Sequence, residues 1–135
     1  MASIHEEVTI DADPAAVWEA LRDWGALHER LAPGFVVHTE LDGTDRIVTF
    51  GTGSVLRERH ITTDEATRRL VWSVVDDPYT HHNGSAQALP ADGGRTRFVW
   101  IADLLPDAAA PRTAELMRQG LAVIRQTLEA RSVRP

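Results

Sequence analysis

Glu58 and His60 stand two residues apart in the stretch 56–60. In an extended strand that spacing puts both on one face. Pairing this strand with the next apolar run, 69–75, sets Leu56 opposite Val74, Glu58 opposite Trp72 and His60 opposite Leu70. Arg57, Arg59, Arg69 and Ser73 then take the wet face, and the acid and the imidazole point inward. A carboxyl held beside an indole is tuned by desolvation toward proton transfer near neutral pH, and a protonated imidazole nearby opposes that shift. Such a pair can move a proton at a carbon next to a carbonyl and so drive an aldol-type closure or a dehydration. Glu58 is the first candidate for general acid or base, and His60 the second. The plainer alternative is that the two only pair with each other or sit at a wet strand end.

Other chemistries find less support. The six histidines are scattered, and adjacent His81 and His82 must face opposite sides of a strand. With no cysteine, thiolate ligands, disulfides and a cysteine nucleophile are excluded. No serine sits in a nucleophile-elbow setting. No metal and no cofactor are expected. The net charge of −6 argues against a nucleic-acid partner, which would need a basic face. Residues 1–10 alternate polar and apolar, unlike a signal peptide, and no apolar run reaches membrane-spanning length, so a cytoplasmic location without membrane insertion is expected.

The candidate pair must be held by a frame. At 135 residues the chain suits a single domain, 1–135. Alternation over 4–10 predicts a first strand. Asp13 then reads as an N-cap and Pro14 as the first helical residue, with Val17, Trp18 and Leu21 as the buried stripe. A second short helix is expected over 23–31, broken near Gly25. Further strands are expected over 35–41, 46–51, 54–62, 69–75, 81–89 and 96–105, with short turn-rich connectors that imply antiparallel pairing. A long helix over 111–131 closes the chain, with Met117, Leu121, Ile124 and Leu128 on one stripe. Gly120 lies beside that stripe, either at a close contact or merely tolerated.

The inner face of the sheet supplies the walls. Val37, Thr39, Val48 and Phe50 form one apolar side, with His38 opposite. Phe98, Trp100, Ala102 and Leu104 form another. A four-residue loop in the last hairpin adds Asn83, Ser85, Gln87 and Leu89 to that face, whereas a loop longer by one residue brings in His82, Gly84, Ala86 and Ala88 instead. The first register is preferred. Large apolar groups mixed with a few polar anchors suit a ligand pocket better than a sealed core. The expected ligand-binding residues are Val37, Val48, Phe50, Leu56, Trp72, Asn83, Ser85, Gln87, Phe98, Trp100, Met117, Leu121 and Ile124.

The sequence resembles the START-like, Bet v 1-like superfamily, in particular its polyketide cyclase/dehydrase branch. The likeness rests on Ile10-Asp11-Ala12-Asp13-Pro14 leading into Val17-Trp18-Glu19-Ala20-Leu21-Arg22-Asp23, then Arg57-Glu58-Arg59, Asp64, Arg69-Leu70-Val71-Trp72, Gly93-Gly94-Arg95-Thr96-Arg97-Phe98-Val99-Trp100 and the closing Gly120-Leu121. It implies an α+β helix-grip fold. A strongly curved antiparallel sheet of about seven strands, with two short N-terminal helices, would wrap a long C-terminal helix over a hydrophobic cavity. It also implies a polyketide- or lipid-like partner and, in some members, cyclisation or dehydration. Cyclases of this branch position enolates with pocket arginine and tyrosine groups, yet here Tyr79 is the sole tyrosine, near a strand end, and most arginines are expected outward.

Three functions compete. A binding protein with acid/base catalysis needs inward ionisable groups and an open cavity. A carrier or sensor needs an almost wholly apolar lining. A co-chaperone-like interaction module needs a filled cavity and an exposed apolar patch. Association as a homodimer is left open.

Overall fold

In the computed structural model, residues 1–132 are described. The chain runs β1 (Ala2–Ile10), α1 (Pro14–Arg22), a 3-10 turn (Trp24–Ala26), a π turn (Leu27–Leu31), β2 (Val36–Asp42), β3 (Asp45–Phe50), β4 (Val55–Asp64), β5 (Arg69–Val74), β6 (His81–Ala91), β7 (Arg95–Leu105) and α2 (Ala110–Arg131). The seven strands form one antiparallel sheet in the order β1-β7-β6-β5-β4-β3-β2. This is the helix-grip arrangement expected. The second short helix is realised as the 3-10 turn and the π turn rather than as a regular α-helix.

Pro14 opens α1, where its missing N–H costs nothing, and Asp13 caps through its backbone alone: its carbonyl accepts from Val17 N–H at 3.0 Å. α2 buries Thr113, Met117, Gly120, Leu121, Ile124 and Leu128, a stripe at helical spacing. That stripe meets Leu70, Trp72, Ala86, Ala88 and Phe98 from the sheet and Val17, Trp18 and Leu21 from α1. Full burial of one such large side chain contributes roughly 1.5–3 kcal/mol, so this layer holds the grip. Gly120 is there for a close approach: a Cβ would lie 3.0 Å from the Trp100 ring and 3.1 Å from the Phe35 ring.

Three registers depart from the expectation, one by two residues and two by a single residue. In β4–β5, Glu58 faces Val74 and His60 faces Trp72, a slip of two, and a bulge at Ile61 then sets Thr63 opposite Leu70. Because the slip is even, Leu56, Glu58 and His60 keep their face. In β2–β3, Val37 is the extra residue between the Val36–Phe50 and His38–Thr49 pairs. Val36 is therefore the buried residue, and Val37 is 53% exposed. In the last hairpin the loop is Asp92-Gly93-Gly94, three residues, and Ala88, Ala86, Gly84 and His82 oppose Phe98, Trp100, Ala102 and Leu104. Gly93 (φ 72°) and Gly94 (φ 73°) both take left-handed backbone, which makes so tight a loop accessible. The preferred register was thus the wrong one, and Asn83, Ser85, Gln87 and Leu89 lie on the outer face.

Candidate functional site

Between α2 and the sheet lies a cavity of about 70 Å³. Its walls are apolar: Leu21, Leu27, Leu31, Ala32, Phe35, Val36, Phe50, Leu70, Trp72, Ala86, Phe98, Trp100, Gly120 and Ile124. Two charged residues interrupt them, Arg46 and Glu58. They face each other across the β3–β4 ladder, and Arg46 Nε–H donates to Glu58 Oε1 at 2.8 Å. Their side chains are only 5% and 9% exposed.

Arg46 is held from three sides. Its Nη1–H donates to the Trp24 carbonyl at 3.2 Å. The Trp24 ring lies 3.7 Å from the guanidinium carbon, a close cation–π contact, and the Trp72 ring centre is 6.0 Å away. Burial pulls the guanidinium below its ordinary pKa, and the Glu58 carboxylate pulls the other way. Its remaining N–H donors have no partner among the described residues.

His60 sits apart from the cavity lining. Its Nε2 is 2.7 Å from Thr63 Oγ1, and its ring meets Trp24 edge-on at 5.3 Å. The partner of the Glu58 carboxylate is thus Arg46, not His60. His60 instead braces the indole that covers Arg46.

Of the remaining expected residues, Phe50, Trp72, Phe98, Trp100 and Ile124 line the cavity. Val48, Met117 and Leu121 are buried in the surrounding core. Leu56 faces an outer groove of about 570 Å³ at the N-terminal end of α2. Phe50 lines both spaces. Val37 is exposed, and Asn83, Ser85 and Gln87 line a cleft on the far side of the sheet.

Sequence reasoning missed Arg46, although the alternation Arg46, Val48, Phe50 already placed it on the apolar side of β3. It also missed His82, which the correct register turns inward. Val74 N–H donates to His82 Nδ1 at 3.0 Å, and burial, with His81 adding to it, pushes the imidazole down to about 4. The Tyr79 ring lies 5.0 Å from that of His82, and the Tyr79 hydroxyl is 2.6 Å from Thr113 Oγ1 on α2. The lone tyrosine therefore stands at the groove, not beside Arg46. No group of three or more histidine or acidic side chains suited to a metal ion occurs among the described residues.

Residues 1–129 match the family described as polyketide cyclase/dehydrase and lipid transport. The chain belongs to this family. No curated protein matches it in sequence. Among solved structures, a protein from Thermobifida fusca is 29% identical, with a TM-score of 0.77 over 97% of this chain and 93% of that one. A START superfamily protein from Mycobacterium smegmatis is 13% identical, with a TM-score of 0.71 over 96% and 95%. The ZhuI aromatase/cyclase from Streptomyces sp. R1128 is 17% identical, with a TM-score of 0.71 over 96% and 92%. These last two share the fold. No helix among the described residues is long and apolar enough to cross a membrane.

Proposed function

We propose that the protein binds a small hydrophobic molecule, polyketide- or lipid-like, in the cavity beneath α2, with an oxygen of the ligand seated on Arg46. The observation that carries this reading is a nearly water-free ion pair in an otherwise apolar lining. Such a pair is poor evidence for stability, because desolvation of both charges offsets much of their attraction and apolar replacements often do as well. Its presence is better explained by something that uses it. The uncommitted guanidinium N–H groups suit a carbonyl or carboxylate oxygen. Glu58, hydrogen-bonded to Arg46 at 2.8 Å, then stands beside the same oxygen and acts as the proton-moving group in a cyclisation or dehydration.

The cavity, about 70 Å³, is far smaller than the roughly 300–1,000 Å³ of ordinary ligand pockets. Occupation therefore requires the cavity to widen, and Phe50, which lines both the cavity and the outer groove, is the side chain whose movement would enlarge it toward that groove. The ligand's polar end enters first and its bulk extends toward Tyr79 and Leu116. A second reading, a non-catalytic carrier, draws support from the apolar character of every other lining residue.

Native mass spectrometry of freshly purified protein tests binding. A co-purifying small molecule of defined mass supports the reading, and a bare chain that also ignores a panel of apolar ketones and carboxylic acids removes it. Once a substrate is known, Glu58→Gln separates the two versions. Lost turnover with retained binding supports acid/base catalysis, and unchanged turnover leaves only the carrier.

A further inference from the structure

Two hydroxyls stand on the wall of the outer groove at the N-terminal end of α2, and their partners assign their hydrogens. Thr113 Oγ1 is 2.9 Å from the Ala109 carbonyl and 2.6 Å from the Tyr79 hydroxyl. A carbonyl can only accept, so the single Thr113 hydrogen goes to Ala109. Were it turned to Tyr79 instead, Thr113 Oγ1 would meet the Ala109 oxygen lone pair to lone pair. Tyr79 must then donate its own hydrogen to Thr113 Oγ1. With the phenol hydrogen spent, Tyr79 presents an oxygen that can only accept. Its ring is held in place. It packs against the His82 ring at 5.0 Å, His82 Nδ1 accepts from Val74 N–H at 3.0 Å, and the Tyr79 N–H donates to the Asp76 carbonyl at 3.2 Å. Tyr79 is half-buried and Thr113 buried, whereas the other polar residues of the groove wall, Thr52, Ser54, Asp77 and Arg112, are exposed to water.

The inner end of the same path has the opposite character. A guanidinium only donates, so Arg46 requires an acceptor oxygen on the ligand. A molecule lying from Arg46 past Phe50 into the groove meets donors at its buried end and an acceptor at Tyr79. The groove, about 570 Å³, falls within the roughly 300–1,000 Å³ typical of ligand pockets. We infer that Tyr79 is a specificity-determining residue that selects ligands bearing a hydroxyl at the end remote from the oxygen on Arg46. The selection rests on the binding mode proposed above, and it narrows the ligand class to apolar hydroxy-ketones and hydroxy-acids. A methyl ether or a second carbonyl at that end would turn lone pairs toward the Tyr79 oxygen and leave both groups unpaired.

Backbone-amide NMR of the full chain, titrated with straight-chain methyl ketones of graded length, tests this. Each length is used in three forms, ending in a hydroxyl, a methyl ether or a methyl group, so that the span from Arg46 to Tyr79 is read from the series. At the lengths that reach Tyr79 the hydroxyl form should bind roughly fivefold tighter than the ether, the worth of one neutral hydrogen bond. Tyr79→Phe should bind the two forms equally. Thr113→Val removes the acceptor of the phenol hydrogen, so Tyr79 can then donate and the ether should gain on the hydroxyl form. The Tyr79 selection is overturned if no length favours the hydroxyl over the ether, if Tyr79→Phe keeps the preference, or if Thr113→Val leaves it untouched. In each of those cases the binding mode itself still stands if methyl-ended ketones bind the parent and are lost in Arg46→Met. If no ketone of any form binds the parent, the binding mode and the Tyr79 selection fall together.

Discussion

β3 and β4 carry two sets of opposite charges, back to back. On the inner face Arg46 meets Glu58, nearly out of water. On the outer face Asp45 is clamped by Arg59 and Arg57, and Arg57 reaches on to Asp42. The groups are the same, and so are the strands. What differs is the surroundings. The Asp45 carboxylate is no more exposed than that of Glu58, but it keeps two guanidinium partners, and Arg57, Arg59 and Asp42 are open to water, so no single bond there is indispensable. The inner pair has one carboxylate, one guanidinium, one carbonyl and two indole rings, and nothing replaces a member that is lost. The outer lattice, open to water at its arginines, holds Asp45 below the usual carboxylate range, through Arg59 first and Arg57 second. The inner pair has no second partner of that kind, which is the ground for the ligand role proposed for it.

The comparison breaks most sharply at Glu58. Glu58→Ala strands a buried guanidinium and should cost about 3–5 kcal/mol of unfolding free energy in urea titration. A cost near that of an exposed pair would mean that water already reaches Arg46. Gly120→Val comes next. It thrusts methyl groups at Trp100 and Phe35, which both line the cavity, and should cost about 1–3 kcal/mol by overpacking. An unchanged urea midpoint would show that those rings have room to retreat.

A third inward group extends the contrast to pH. Burial pushes His82 down to about 4 in the fold, against an ordinary histidine value of 6.5. The unfolded chain therefore binds the proton more readily. The stability that neutral His82 contributes is complete above pH 6.5 and drains away as pH falls toward 4. Between pH 6.5 and 5 the loss should be about 1–2 kcal/mol, and His82→Gln should flatten that slope. A slope that survives the substitution would assign it elsewhere. The smallest effect belongs to the outer lattice. Arg59→Gln should lower the melting temperature by no more than about 2 °C, and 1 M salt should erase even that. A larger loss would give the outer set the importance argued here for the inner one.

Much of the frame was legible because long periodic segments announce themselves. The alternation of β1, the Asp13-Pro14 start of α1 and the apolar stripe of α2 each follow from local pattern alone. The walls were legible where an error of register was even: a slip of two left Leu56, Glu58 and Trp72 on their face. They were lost where the error was odd. One residue in the Asp92-Gly93-Gly94 loop exchanged Asn83, Ser85 and Gln87 for His82, Gly84 and Ala86, and one bulged residue exchanged Val37 for Val36. Nothing local marks such residues, since a bulge is stabilised by contacts across the sheet. Arg46 was overlooked for another reason. Charge is read as a sign of solvent, although strand parity already counted it among the inward residues.

The most direct test replaces the inner pair as a unit. In the double variant Arg46→Met/Glu58→Leu both charges leave together and apolar groups of similar size fill their place. If the pair exists for a ligand, urea unfolding should show the variant at least as stable as the parent, while native mass spectrometry finds that any small molecule captured by the parent is gone. A variant that still carries the same molecule, or one that unfolds several kcal/mol more easily, would contradict the account and make the pair a structural element of the grip.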